Sequence, residues 1–232
     1  MIGSFITQTD NKGVPLEQRR GIEFTDLNDY LVLVQAPIEQ VGQALSQVRQ
    51  VVSWERDVYE REIELIDQGS GIIVQFRRHL WTIIQSSTFF PIQMSLYDED
   101  AQSLSRWLHT KAIAYLISDT GGYIGYHLFN CGESLERFYK EPMEELEAQE
   151  YEYLDEQEFI GVCEFRSQLS QKEAHEIESG YSFTDEFLRE QDAYVPAFSW
   201  QWSFLKVGQK VTIQLEGLER DDLERMDYMT LS

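Results

Sequence analysis

An α+β fold, dominated by antiparallel sheet with amphipathic helices packed on it, follows from three patterns in the sequence. Compact β-branched runs such as Leu31-Val32-Leu33-Val34 have the composition of buried strands. Ile38, Val41, Leu45, Val48 and Val52 recur at three- and four-residue steps, which lays one apolar stripe along a helix. Phe198, Trp200, Trp202 and Phe204 alternate with Ser199, Gln201 and Ser203, which gives a strand one apolar and one polar face.

Taken in order, residues 1–28 are polar and mixed and read as a loose start. The strand at Leu31–Val34 is followed by Pro37, which suits the first turn of a helix. The helix then runs to Val52. Residues 54–66 carry mixed charges around Val58, Ile63 and Leu65 and read as an exposed strand, and Gly69-Ser70-Gly71 reads as a turn. Ile72 to Ile84 reads as one long strand, with Val74, Phe76, Leu80 and Ile84 on one face and Arg77, His79 and Trp81 on the other. Asp98 or Asp100 suits the cap of a helix that turns Leu104, Trp107 and Leu108 inward. Ala112–Ile117 and Tyr123–Phe129 read as strands joined at Asp119-Thr120-Gly121-Gly122, since Asp and Gly tolerate the positive φ of hairpin turns. A short helix is expected at Leu135–Tyr139, a strand at Phe159–Phe165, and a helix capped by Thr184 that contains Phe187 and Leu188. The alternating aromatic strand turns at Gly208-Gln209 into a partner carrying Val211, Ile213 and Leu215. The acidic tail from Glu219 reads as a terminal helix. Two helix-then-strand blocks in residues 1–142 form a loose internal α/β pseudo-repeat, and residues 143–232 add an acidic segment and the aromatic hairpin, packed with the first part as one globule.

Aliphatic and aromatic residues make up 42% of the 232, enough to offset chain entropy, so global disorder is not expected. The charge is lopsided: 41 Asp plus Glu against 19 Lys plus Arg, a net -22. Nucleic-acid backbones are bound by cationic side chains that displace counterions, so no nucleic acid is expected as a partner. An anionic membrane surface is disfavoured by the same field, and no apolar run is long enough to span one. A basic protein partner is the macromolecule this charge attracts, although high negative charge also serves solubility alone. Most of the surplus lies in residues 133–192. Cys131 and Cys163 form no CxxC or zinc-ligand pattern and read as reduced, buried thiols of a cytoplasmic protein, so no metal and no cofactor is expected. The start, despite Arg19-Arg20, lacks the apolar stretch of an export signal.

Few residues carry a chemical signature. Asp119-Thr120-Gly121 matches the short signature of aspartic proteases, which need two carboxylates. One copy would require a symmetric dimer, and the residues suit an ordinary turn. His79 and Trp81 lie opposite the apolar positions of their strand, and His127 shares a face with Tyr123 and Phe129. A histidine beside Asp119 across the hairpin would serve as a general base, though lone histidines are more often satisfied structural groups. The aromatic row from Phe198 to Phe204 would make a stacking platform, but large aromatics usually fill cores. Asp98-Glu99-Asp100 and Asp221-Asp222 fit no EF-hand spacing and read as helix-start charge. No P-loop, GxGxxG, HExxH or GxSxG occurs, and no catalytic residue is assigned.

Arg78-His79-Leu80-Trp81-Thr82-Ile83 and Asp119 to Glu133 (DTGGYIGYHLFNCGE) resemble segments of uncharacterised bacterial proteins of cyanobacterial type. The resemblance covers under a quarter of the chain. It implies a bacterial, cytoplasmic origin and transfers no activity.

The function expected is a non-enzymatic interaction module, immunity- or adaptor-like, that offers an acidic surface to a basic protein. The alternative is an enzyme or small-ligand binder with a pocket near Asp119, His127, His79 and Trp81, lined also by Tyr123.

Overall fold

In the computed structural model of the chain, the described residues are 13–23, 29–64, 69–86, 94–118, 123–140, 163–196, 208–215 and 217–231, with side chains left out at 29 and 94–97. In chain order the strands are β1 (Gly21–Ile22), β2 (Asp29–Val34), β3 (Val51–Glu55), β4 (Glu62–Glu64), β5 (Ser70–Phe76), β6 (Thr82–Ser86), β7 (Lys111–Ser118), β8 (Tyr123–Asn130), β9 (Glu133–Lys140), β10 (Cys163–Ser167), β11 (Tyr194–Val195), β12 (Lys210–Thr212) and β13 (Leu223–Leu231). The helices are α1 (Ile38–Val48), α2 (Met94–Leu108) and α3 (Gly180–Glu190). Among the described residues nine strands make one antiparallel sheet, in the order β10-β9-β8-β7-β2-β6-β5-β13-β3. The α+β class is therefore the architecture found.

The central strands are apolar on both sides because both faces are covered. Val32, Val34, Ala114 and Ile84 meet Val41 and Leu45 of α1 and Leu104 of α2. Leu31, Leu33, Ile83 and Tyr115 meet the other layer, where α3 contributes Phe187 and Leu188. That second layer also holds two small ladders, parallel β1–β11 and antiparallel β4–β12. On the first layer Arg49, just past α1, makes a forked pair with Asp100 of α2 at 2.9 Å.

Several elements differ from expectation, each for a local reason. The α1 stripe stops at Val48. Val52 continues the helical spacing, but its β-branched neighbourhood lies in edge strand β3, where it is 65% exposed. The stretch 72–84 is a hairpin, with Arg78 at φ 64 turning the chain between β5 and β6. Each arm alternates by itself and the turn switches the faces between them, which the apolar pattern alone does not announce. The turn inverts three assignments: Leu80 is 55% exposed, Trp81 is buried on the side of Val74 and Phe76, and Ile84 faces the other layer. Leu135–Tyr139 is not a helix but part of β9, entered through Cys131 (φ 52) and Gly132 (φ 85), two successive left-handed residues that reverse a hairpin. Asp98 and Asp100 lie inside α2 rather than capping it, and Trp107 faces outward. Ser179, not Thr184, caps α3. β12 pairs with β4. Phe198, Trp200, Trp202 and Phe204 lie outside the described residues, as do Asp119 to Gly122.

The largest difference is the tail. After a 3-10 turn at Arg220–Asp222 it forms β13, set between β5 and β3. Its Asp227 is fully buried, and its carboxylate accepts from Trp54 Nε1 (2.9 Å), the Asp57 amide (3.0 Å) and Arg225 Nε (3.0 Å). A charge buried with this many donors satisfies the rule that buried ions be paired. β10 and β13 both join the sheet built from residues 29–140, so strands from either side of residue 142 share one sheet.

Candidate functional site

The five expected site residues do not converge. His79 sits in the β5–β6 turn, buried against Phe76 and Tyr194. Its Nε2 donates to the Leu16 carbonyl at 2.9 Å, which fixes the tautomer. Burial holds its pKa below the ordinary imidazole range. Trp81 is 1% exposed and donates Nε1–H to the Gln191 carbonyl at 3.0 Å. Both residues pin flanking chain onto the α3 side of the sheet. A solvent-open cleft of about 240 Å³ lies beside them, lined by Leu16, Glu17, Arg77, Arg78, Asp221 and Asp222. Its arginines are already matched, Arg77 to Asp221 and Arg78 to Glu17, each at 3.5 Å. Tyr123 and His127 project from β8 toward the opposite face, where Tyr123 meets the hydroxyl of Tyr30 and the ring of Tyr139. The sheet separates the two pairs. Asp119 lies outside the described residues.

His127 gathers chemistry with residues that sequence reasoning passed over. Tyr123, His127 and Phe129 share the helix-side face of β8, and α2 lies over this end of it. The helix is fixed to the β8–β9 turn: Gln102 Nε2 donates to the Gly132 carbonyl and the Gly132 amide donates to Ser105 Oγ, both at 3.0 Å. A Cβ on Gly132 would lie 2.8 Å from Arg106, so only glycine allows this approach. Asp98, one helical turn before Gln102, is thereby held above β8. Its Oδ2 lies 3.1 Å from His127 Nδ1, without the alignment of a formed hydrogen bond. A register shift between Leu128 and Phe129 sets Ser134 opposite Phe129, on the side of His127. Such bulges re-aim side chains. Ser134 Oγ is 2.7 Å from His127 Nε2.

The same face carries a row of basic groups. His127 of β8 is in register with Arg137 of β9, and Arg137 with Arg166 of β10. Like charges directly opposed on neighbouring strands destabilise a sheet. Arg137 comes only to 3.9 Å of Asp98, and its buried Nε has no partner among the described residues. Arg166 is exposed and forms no ion pair among the described residues. Among the described residues, Asp98 is the carboxylate that forms ion pairs with this row, and Glu164 stands on the same face of β10 as Arg166.

Asp98 was hidden by its resemblance to a helix cap. Ser134 and Arg137 lie in or next to the stretch expected as helix, and Arg166 lies one residue past the strand expected at Phe159–Phe165. The signal available was Cys131-Gly132: read as a hairpin turn, it places Ser134 and Arg137 on a strand beside His127. Both thiols are free; Cys163 is half-buried, with its pKa raised by burial, but Cys131 is exposed at the turn, contrary to expectation. Among the described residues no group of His, Cys, Asp and Glu has metal-holding geometry, and no helix is long and apolar enough to cross a membrane. Comparison of the chain with protein-family models, curated proteins and solved structures gives no match.

Proposed function

We propose that this protein binds a small anionic group, phosphate or carboxylate, on the α2 side of the sheet at β8, β9 and β10. The observation that carries the reading is the in-register row His127–Arg137–Arg166, in which two arginines oppose each other and, among the described residues, only Asp98 forms an ion pair with the row. Guanidinium forks suit two oxygens of one anion, and such charge-assisted bonds are about twice as strong as neutral ones. An anion between the strands would replace the repulsion with attraction and supply the acceptor that Arg137 Nε lacks. The Ser134 hydroxyl adds a neutral contact beside it. Net negative charge repels such a ligand at long range, so recognition belongs to these contacts and not to steering.

Titration calorimetry with inorganic phosphate and with phenyl phosphate tests this. The wild type is expected to bind saturably, and the double variant Arg137→Gln, Arg166→Gln to bind at least about tenfold more weakly, since hydrogen bonds to charged groups are each worth about 1.5–3 kcal/mol. Equal affinity in the two proteins would dismiss the site.

A second reading is favoured by the stretch 141–162, which contains no lysine or arginine. We propose that its charge recruits a basic protein partner, as an immunity or adaptor protein would. Capture of a basic protein that weakens as salt rises supports it. Partners that are neutral or acidic, held regardless of salt, would oppose it.

A further inference from the structure

We propose that Ser134 is a nucleophile, with His127 as its general base and Asp98 as the group that orients the imidazole, and that the site hydrolyses small carboxylic esters. The connectivity is Asp98 Oδ2 to His127 Nδ1 (3.1 Å), then His127 Nε2 to Ser134 Oγ (2.7 Å). This order matters chemically. For the Ser134 hydroxyl to donate to Nε2, that nitrogen must be bare, so the imidazole proton sits on Nδ1. Nδ1 is the atom that faces the carboxylate. One carboxylate thus selects the working tautomer and stabilises the imidazolium formed when the serine proton is taken, the division of labour found in serine–histidine–aspartate enzymes on unrelated folds.

A merely structural contact would look different in two respects. Ser134 is exposed, so water would satisfy its hydroxyl without a histidine. The His127 side chain is only 11% exposed, so its Nε2 is largely shielded from water and meets the Ser134 hydroxyl instead. The register shift places the Ser134 hydroxyl there, and its carbonyl is held by Gln168 Nε2 at 2.7 Å. Looseness at Asp98 is common before substrate closes such a site.

The reaction balances with water as the only co-reactant. Ser134 Oγ bonds to the ester carbonyl carbon as its proton moves to His127 Nε2. The tetrahedral adduct expels the alcohol oxygen, which takes that proton, leaving an acyl group on Ser134. Water attacks the acyl carbon by the same exchange and releases the acid. The substrate class rests on the anion-site reading: Arg137 and Arg166, on the same face, favour an ester that also bears a carboxylate or phosphate.

A neutral alkyl fluorophosphonate tests the nucleophile, because serine attack forms an Oγ–P bond and expels fluoride with the displaced proton. Wild type is expected to be labelled at Ser134, Ser134→Ala not at all, and His127→Gln about 10²–10⁴-fold more slowly. Ser134 is exposed, so Ser134→Ala should melt with the wild type and serve as a folded control. Wild-type labelling no faster than that of Ser134→Ala, or label mapped to another residue, overturns the proposal. The substrate class is read separately, as the ratio of p-nitrophenyl hemisuccinate to p-nitrophenyl acetate hydrolysis. A ratio above one that collapses in Arg137→Gln, Arg166→Gln supports it; a wild type that is labelled but has no preference leaves the nucleophile standing and removes the anionic class.

Discussion

His79 and His127 carry the same side chain to opposite uses. His79 is sealed, donates to a carbonyl, and serves the fold. Its folded pKa lies below the unfolded value of about 6.5. The unfolded chain therefore takes up a proton first, and stability is lost as pH falls below about 6.5, flattening once the folded histidine also titrates. His79→Gln keeps a donor for Leu16 and should reduce that dependence. Urea unfolding of the two proteins between pH 7.5 and 5 checks it, and parallel curves would contradict it. His127 instead keeps one nitrogen beside an exposed hydroxyl and the other beside a carboxylate. Sequence alternation set His79 opposite the apolar positions of its strand and His127 on a face with Tyr123 and Phe129, yet it could not tell their uses apart. Their difference is set by what lies above each one, α2 over His127 and the chain at Leu16 over His79, and neither contact is local in sequence. Glu39 shows the same limit. It is bound by Arg56 and Arg225, which hold its carboxyl well below the usual range, at about 2, and nothing near it in sequence announces Arg225.

At the scale of the element, the edge formed by β8, β9 and β10 departs most from what stability alone would select. Arg137 and Arg166 repel across the ladder, and cross-strand pairs are worth about 0.2–1 kcal/mol either way. Arg166→Glu replaces repulsion with an ion pair. It is expected to raise stability by a few tenths of a kcal/mol, within that same range, while abolishing phosphate binding. Denaturation midpoints and calorimetry on the one variant check both halves. A variant that loses stability would mean that Arg166 serves the fold. Elements with strong local patterns were legible: β2 from its aliphatic run, α1 from its stripe, β7 and β8 from paired runs around a turn. Elements whose pattern fits two periods were not. Leu135 and Phe138 are three apart, as on a helix, because the register shift beside Leu135 breaks the strand alternation. In the 72–84 hairpin the turn switches the faces, so that Trp81 and Ile83 join Val74 and Phe76 while Ile84 faces the other layer, and arginine gives no hint of the positive φ at Arg78.

For the whole molecule, the decisive feature is that the C-terminal strand lies inside the sheet. β13 bonds to β5 on one side and β3 on the other, and brings the buried Leu223, Met226, Tyr228 and Met229. A chain ending at Gly217 is expected to lose cooperative thermal unfolding altogether, read by calorimetry; a sharp transition in that chain would show β13 to be an addition to a stable core. An acidic stretch before a buried strand reads as a tail by composition, because carboxylates on Glu219, Asp221 and Asp222 mask the apolar alternation that follows. The same charge asymmetry frames the functional question, since an excess of carboxylates makes two directly opposed arginines conspicuous. The most direct check of the anion site is an amide chemical-shift titration with inorganic phosphate at constant ionic strength. The account predicts saturable shifts confined to β8, β9 and β10 around His127, Ser134, Arg137 and Arg166. Shifts centred on the Arg77–Arg78 cleft, or spread without saturation over the surface, would contradict it.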